Sequence, residues 1–247
     1  ISYAKAQREP NRSDYENGNP KPESLNDYEL GWRYKKEKIQ VQANLYFMDY
    51  KNQLVLTGAL DEVGEPIRTN SGDSYRFGLE VEAAVRLADQ WVWQPNIALS
   101  SNKNEEFYFN RDGQLQNLGK TNISYSPAIV GASNLVYSPN TVFRIALLTK
   151  YVGEQYMGNI DADLSKLKAY LTNDINISYV WTPNSWIKEA QFSLLFNNIL
   201  NELYSSNGFF YTFDDDYSVP NVITTIEGVG YYPQAGANFL LGVTFRF

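Results

Sequence analysis

The sequence predicts an all-β fold, a transmembrane antiparallel up-and-down β-barrel. Three observations carry that expectation. Apolar and polar residues alternate over runs of roughly 12–14 positions. Short turns alternate with long polar loops along the whole chain. All five tryptophans, Trp32, Trp91, Trp93, Trp181 and Trp186, stand beside short turns. Successive strand residues point to opposite sides. Such a run therefore has one apolar and one polar face, as a strand between lipid and a wet lumen must. Twelve residues at about 3.3 Å each and about 40° tilt rise about 30 Å, enough to cross a bilayer. Strands of soluble proteins average nearer ~5–6 residues. Tryptophan prefers the membrane–water interface, where its ring is buried and its N–H stays wet. A soluble sandwich gives no reason to gather every tryptophan at one end.

The elements follow in order. Residues 1–6 read as the end of a strand, and a polar loop rich in Pro, Gly and Asn follows. Next, Tyr28, Leu30, Trp32 and Tyr34 share one face, and Asp27, Glu29, Gly31 and Arg33 the other. The turn 35–38 leads to a strand with Ile39, Val41, Ala43, Leu45 and Phe47 opposite Gln40, Gln42 and Asn44. After a loop at 52–73, the cleanest strand runs from Ser74 to Leu87. Its odd positions, Tyr75 to Leu87, are apolar, while Arg76, Glu80, Glu82 and Arg86 face the other way. A turn at 88–90 opens the strand bearing Trp91, Trp93, Pro95, Ile97 and Leu99, and a loop at 102–124 follows. Alternation is weak near 127–137, which is placed by its neighbours. The return strand after the turn 138–140 shows Phe143, Ile145, Leu147 and Tyr151. A fourth loop precedes a strand at 169–181, with Ile175, Ile177, Tyr179 and Trp181 on one face. The turn T-P-N-S-W-I-K-E leads to Phe192, Leu194 and Phe196. The longest loop, 203–233, precedes the final strand, where Phe239, Leu241, Val243, Phe245 and Phe247 share a face. Tyr50, Tyr75 and Tyr151, near the long loops, are expected to form the girdle opposite the tryptophans. The count is about nine full strands and one partial, all within a single barrel domain over 1–247.

Composition narrows the chemistry. Cys and His are both absent. This removes disulfides, thiolate and imidazole metal sites, histidine haem ligation and Ser-His-Asp catalysis. No resident cofactor, metal or enzymatic activity is expected. A net charge of −7 with pI near 4.8 has the wrong sign for nucleic acid. Mean hydropathy is −0.42, and no apolar run approaches a membrane helix. A barrel hides its hydrophobicity by alternation, so a membrane stays open. The opening Ile1-Ser-Tyr-Ala reads as the tail of a strand. The expectation is a C-terminal piece of a longer protein whose upstream strands and plug domain lie outside this sequence.

The run from Arg8 to Gly31, R-E-P-N-R-S-D-Y…P-K-P-E-S-L-N-D-Y-E-L-G, resembles the late barrel of TonB-dependent outer-membrane receptors. So do Y-V-G-E-Q-Y (151–156), A-Y-L-T-N-D-I-N-I-S-Y (169–179), F-N-N-I-L-N-E-L-Y (196–204) and the terminal N-F-L-L-G-V-T-F-R-F. The terminal strand ending in Phe also resembles the assembly signal of Gram-negative outer-membrane proteins. The resemblance implies a barrel of about 22 strands with a plugged lumen. It implies active uptake of a scarce nutrient across the outer membrane, with a ferric siderophore or other iron chelate first. Oligosaccharide, cobalamin and a passive porin are the alternatives. Its implied partners are outer-membrane lipid, the TonB complex through the missing N-terminal part, the small nutrient and, as a further candidate, a surface lipoprotein.

Arg76, Glu80, Glu82 and Arg86 are expected on the lumen face, where charges of both signs suit a polar plug or a water-filled pore. Ligand candidates lie in the loops. Arg8 and Arg12 can grip an anionic chelate through forked hydrogen bonds, or pair with acids of neighbouring loops. Tyr15 and Tyr211 are further loop candidates, and the aromatics of the run 210–217, Tyr211 among them, can stack on a catechol or a sugar. Asp214, Asp215 and Asp216 either converge on a cation through a turn or form a solvated charge run.

Overall fold

The computed structural model describes residues 1–16, 18–61, 63–183 and 186–247. β1 (Ser2–Arg8) leads into a five-residue helix, α1 (Arg12–Glu16). β2 (Glu23–Lys36) and β3 (Ile39–Lys51) form a hairpin. A smaller hairpin follows, β4 (Leu54–Leu60) with β5 (Pro66–Asn70), then β6 (Ser74–Ala88) and β7 (Trp91–Asn104). β8 (Tyr108–Arg111), β9 (Gln114–Asn117) and the short β10 (Thr121–Asn122) precede β11 (Ile129–Tyr137) and β12 (Phe143–Val152). β13 (Gln155–Tyr156), a 3-10 turn at Asp163–Ser165 and β14 (Lys166–Leu167) lead to β15 (Tyr170–Trp181) and β16 (Glu189–Asn197). β17 (Ser205–Asp215) and β18 (Thr224–Pro233) come before the last strand, β19 (Asn238–Arg246).

Ten strands pair in one continuous antiparallel wall, in the order β1-β2-β3-β6-β7-β11-β12-β15-β16-β19. It is an up-and-down meander, so every short turn lies at one end and every long loop at the other. The alternation read from the sequence sets the pairing register, because a slip of one residue would turn each strand inside out. Phe143, Tyr179, Phe192 and Val243 stand in one cross-strand row of the outer face. The next rows are Ile145, Ile177, Leu194 and Leu241, then Leu147, Ile175, Phe196 and Phe239. These side chains are exposed in large numbers, a state that hydrocarbon satisfies and water does not.

Aromatic rings crowd the short-turn end. Trp91 packs on Tyr137 at 4.6 Å, Trp186 stacks on Phe247 at 5.2 Å, and Trp93 Nε1 donates to Ser133 Oγ at 2.8 Å. Tyr75 and Tyr151 lie on the outer face as expected, cross-strand from Lys103 and Gly131. Tyr50 does not. It has the parity of Gln40, Gln42 and Asn44 and lies between Leu25 and Ser74 on the inner face. Nearness to a loop was the wrong criterion there, because parity alone decides the side. The turn at 182–189 joins β15 to β16, and its Asn184 and Ser185 lie outside the described residues. So do Asn17 of the first long loop and Glu62 of the second.

The long loops differ most from the sequence reading. They are not irregular. The stretches 52–73 and 203–233 each hold a hairpin, and β17 pairs with β4 to join them in a four-stranded sheet, β18-β17-β4-β5. Arg8, expected in a loop, ends β1 opposite Glu23. The described chain's apolar core cluster also sits here: Val55, Phe107 and Phe109 are buried, with Leu118 and Ile160 packed around them. Asn159 ties the layer together, its Oδ1 accepting from Ser124 N at 2.9 Å and its Nδ2 donating to Leu56 O at 3.0 Å.

Candidate functional site

Two surfaces can meet a solute, the inner face of the wall and the loop layer above it. On the inner face, Arg33, Gln42, Glu82 and Asn96 stand in one cross-strand row. Arg33 Nε donates to Gln42 Oε1 at 2.9 Å, and Gln42 Nε2 donates to Glu82 Oε1 at 2.7 Å. A groove of about 670 Å³ runs along this row and the next, with Gly31, Asn44 and Glu80 in its wall. Higher up, Arg76 Nη1 donates to Ser126 Oγ at 2.9 Å, tying the third long loop to the inner face. Arg76, Glu80, Glu82 and Arg86 therefore share one side of β6, and Arg86 is exposed near the short-turn end.

The loop layer is dominated by the β17–β18 hairpin. It rises from the inner side of the wall. The Tyr204 ring stacks on Tyr170 at 4.2 Å, and Tyr170 shares the inner parity of Thr172 and Asp174. One face of the hairpin packs on neighbouring loops. Thr212 is buried beside β4, Phe210 covers Gly158, and Gly208 leaves no room for a Cβ between Gly230 O and Met157. Arg111 and Glu227 pair at 2.6 Å, and Asp112 and Thr225 exchange hydrogen bonds of 2.7 and 2.8 Å.

The opposite face carries Phe209, Tyr211 and Phe213. Gly230 and Gly228 are the cross-strand partners of Phe209 and Tyr211. A Cβ at either glycine would strike the ring opposite, so the rings lie over bare backbone. Adjacent centroids are 6.2 and 6.4 Å apart, with interplanar angles of 20° and 17°. That spacing paves the rings side by side rather than face to face. Tyr232 extends the surface, 6.0 Å from Phe209. Tyr125 sits at its foot and donates its hydroxyl to Gly208 O at 2.8 Å. Burial, and then the nearby Tyr232, raise the Tyr125 phenol above its ordinary value.

The other loop candidates do not converge. Arg12 pairs within α1, with Glu16 at 2.7 Å. Tyr15 is exposed on the same helix, and Arg8 is at the far edge of the wall. Asp214 accepts from Thr225 Oγ1 at 2.7 Å, and Asp215 accepts from the amides of Tyr217 and Ser218. The Ser218 side chain, then its amide, hold the Asp215 carboxyl below its usual value. Asp216 is exposed. Among the described residues no group of three acids is placed to hold a cation. Asp14 was missed by sequence reasoning. It is buried, caps α1 by accepting from Asn11 N at 2.8 Å, and pairs with Arg68 Nε at 2.9 Å. The spacing Asn11-x-x-Asp14 is the cap signal that pointed to it.

A family model described as TonB-dependent receptor-like, β-barrel, matches residues 1–201. The chain belongs to this family. No curated protein matches it by sequence. Solved structures share its fold. The copper transporter OprC superposes with a TM-score of 0.68 at 17% identity, over 98% of this chain and 36% of that one. The ferric-catecholate import receptor Fiu from E. coli K12 gives 0.64 at 15% identity, over 98% and 32%. The ferric yersiniabactin uptake receptor FyuA from Yersinia pestis gives 0.60 at 17%, over 99% and 34%. The chain thus spans about a third of the length of these structures.

Proposed function

We propose that the full-length parent of this chain is an outer-membrane receptor of a Gram-negative bacterium that takes up a scarce nutrient by TonB-dependent active transport. The observation that carries the reading is the family match over 1–201. The inner face supports it: Arg76, Glu80, Glu82 and Arg86 offer both signs of charge to a plug. The chain is then one part of a plugged barrel of about 22 strands. Energy transduction belongs to the plug and to the N-terminal segment that meets TonB.

Ferric siderophores or other iron chelates are the cargo of first choice, in line with what the names of Fiu and FyuA say of those proteins. Arg8, Arg12, Tyr15, Tyr211 and Asp214 to Asp216 are the loop residues proposed to meet the cargo. Oligosaccharide is the second reading, favoured by one observation: the three arginines of the long loops are already ion-paired, to Glu16, Asp14 and Glu227. The test is accumulation of labelled nutrient in energised cells against cells lacking TonB. Accumulation only with TonB is expected. Equal entry in both strains replaces the receptor by a passive porin.

A further inference from the structure

We propose that the paved face of the β17–β18 hairpin is a stacking site for a neutral, ring-bearing solute, the pyranose rings of a glycan. This rests on the receptor reading and refines its cargo.

Shape comes from the glycines. Gly228 and Gly230 are the seats on which Tyr211 and Phe209 lie flat, so each ring turns one broad face outward. Phe209, Phe213 and Tyr232 remain 45%, 42% and 52% exposed, although the opposite face of the same hairpin is packed. Burying these rings within the layer would have been favourable, at about 25 cal/mol per Å² of apolar surface. An open row of nearly coplanar rings is a surface for the flat apolar face of another ring.

Placement comes from the foot of the hairpin. Tyr204 stacks on inner-facing Tyr170, and Tyr125 belongs to the loop that Arg76 holds from the inner face. The paved side bears Tyr232, 6.0 Å from Phe209 and beside Tyr125 at the foot of the hairpin.

Charge selects among ring-bearing solutes. Between Asn198 and Ala237 the chain carries Glu202, Asp214, Asp215, Asp216 and Glu227 and no lysine or arginine. The arginines of the other long loops are taken by Glu16, Asp14 and Glu227. A ferric catecholate complex is anionic and would meet on this hairpin carboxylates of its own sign and no lysine or arginine. A neutral sugar needs none. Its C–H face stacks on the rings, and its hydroxyls find an acceptor in the exposed Asp216 at the tip.

The experiment is isothermal titration of the purified full-length receptor. The probes are a panel of neutral linear gluco-, xylo- and manno-oligosaccharides and, separately, a ferric tris-catecholate. The proposal expects at least one neutral oligosaccharide to bind. It expects the triple variant Phe209→Ala, Tyr211→Ala, Phe213→Ala to weaken that binding at least ten-fold. Phe209→Leu with Phe213→Leu keeps the bulk and loses the π-faces, and it should weaken binding in the same direction should the alanine variant fail to assemble. Binding of the ferric tris-catecholate alone overturns the proposal, as does binding of no probe. Unchanged oligosaccharide affinity in both variants also overturns it, and assigns the rings to a covering role against the plug. The receptor reading fails separately, when uptake does not depend on TonB.

Discussion

Val81 stands at the middle of β6, the eighth of its fifteen residues, on the outer face between Ala43 and Ile97. Replacing it by arginine puts a guanidinium at the bilayer midplane, at a cost of about 2–4 kcal/mol. Leu87 lies six residues toward the short-turn end, at the bulge that shifts the β6–β7 register, and is exposed. At about 3.3 Å per residue and roughly 40° tilt, that is about 15 Å nearer the interface, where the cost falls to about 0–1 kcal/mol. Glu80, on the inner face, should accept arginine at little cost. The expected order of destabilisation is Val81→Arg well above Leu87→Arg, with Glu80→Arg near zero. The assay is urea-driven unfolding of the full-length receptor in lipid vesicles, read by the mobility difference between folded and unfolded barrel. Equal cost at 81 and 87 would refute the depth argument. A larger cost at 80 than at 81 would refute the register itself.

Two further outcomes follow from the loop layer. Asp14 is 3% exposed and Arg68 25%, so Arg68 can reach water when its partner is removed and Asp14 cannot. Arg68→Ala should therefore loosen α1 more than Asp14→Ala, by about 3 kcal/mol against about 2, with the wall unaffected; hydrogen exchange over 11–16 measures it, and the reverse order refutes the burial argument. The Tyr125 phenol is raised in the folded state, so the stability it lends is fully present below the ordinary tyrosine value near 10 and is lost as pH rises through the raised one. Proteolytic sensitivity of the 205–233 hairpin should step up only at strongly alkaline pH, and Tyr125→Phe should remove the step; a step already complete below pH 10 contradicts the shift.

The wall was legible because each of its strands lies between two different solvents. Phe239, Leu241, Val243 and Phe245 have no choice of side, and their partners in β16 repeat the same period. The loop hairpins lack that simplicity. In β17 the run Phe209-Phe210-Tyr211 is apolar on both sides, because Phe210 covers Gly158 while Phe209 covers Gly230. Rings on both faces erase the period-two signal, so the stretch read as an aromatic-rich loop. Gly228 and Gly230 fall inside the expected loop 203–233, yet they are strand residues that seat rings. Asp14 shows the other limit. Its cap to Asn11 is three residues away and visible in sequence, but its ion pair reaches Arg68, 54 residues on.

These differences have one physical origin, the place where the molecule keeps its core. A barrel strand facing lipid needs no core beneath it. Its backbone groups are satisfied by the ladder, and its side chains by hydrocarbon. Among the described residues the largest fully buried side chains are Phe107, Met157, Asn104, Asn159, Ser74 and Ser165, all in the loop layer or at its junction with the wall. The long loops therefore fold as a packed unit with their own apolar cluster and their own polar anchors. A surface built on floppy segments would spend binding energy on ordering them, and this layer is already ordered. The packing also makes the layer separable. Substitutions at Phe209, Tyr211 or Phe213 remove no ladder hydrogen bond and no buried ring, so they should change recognition while the lipid-facing rows, and the assembly of the wall they drive, stay as they are.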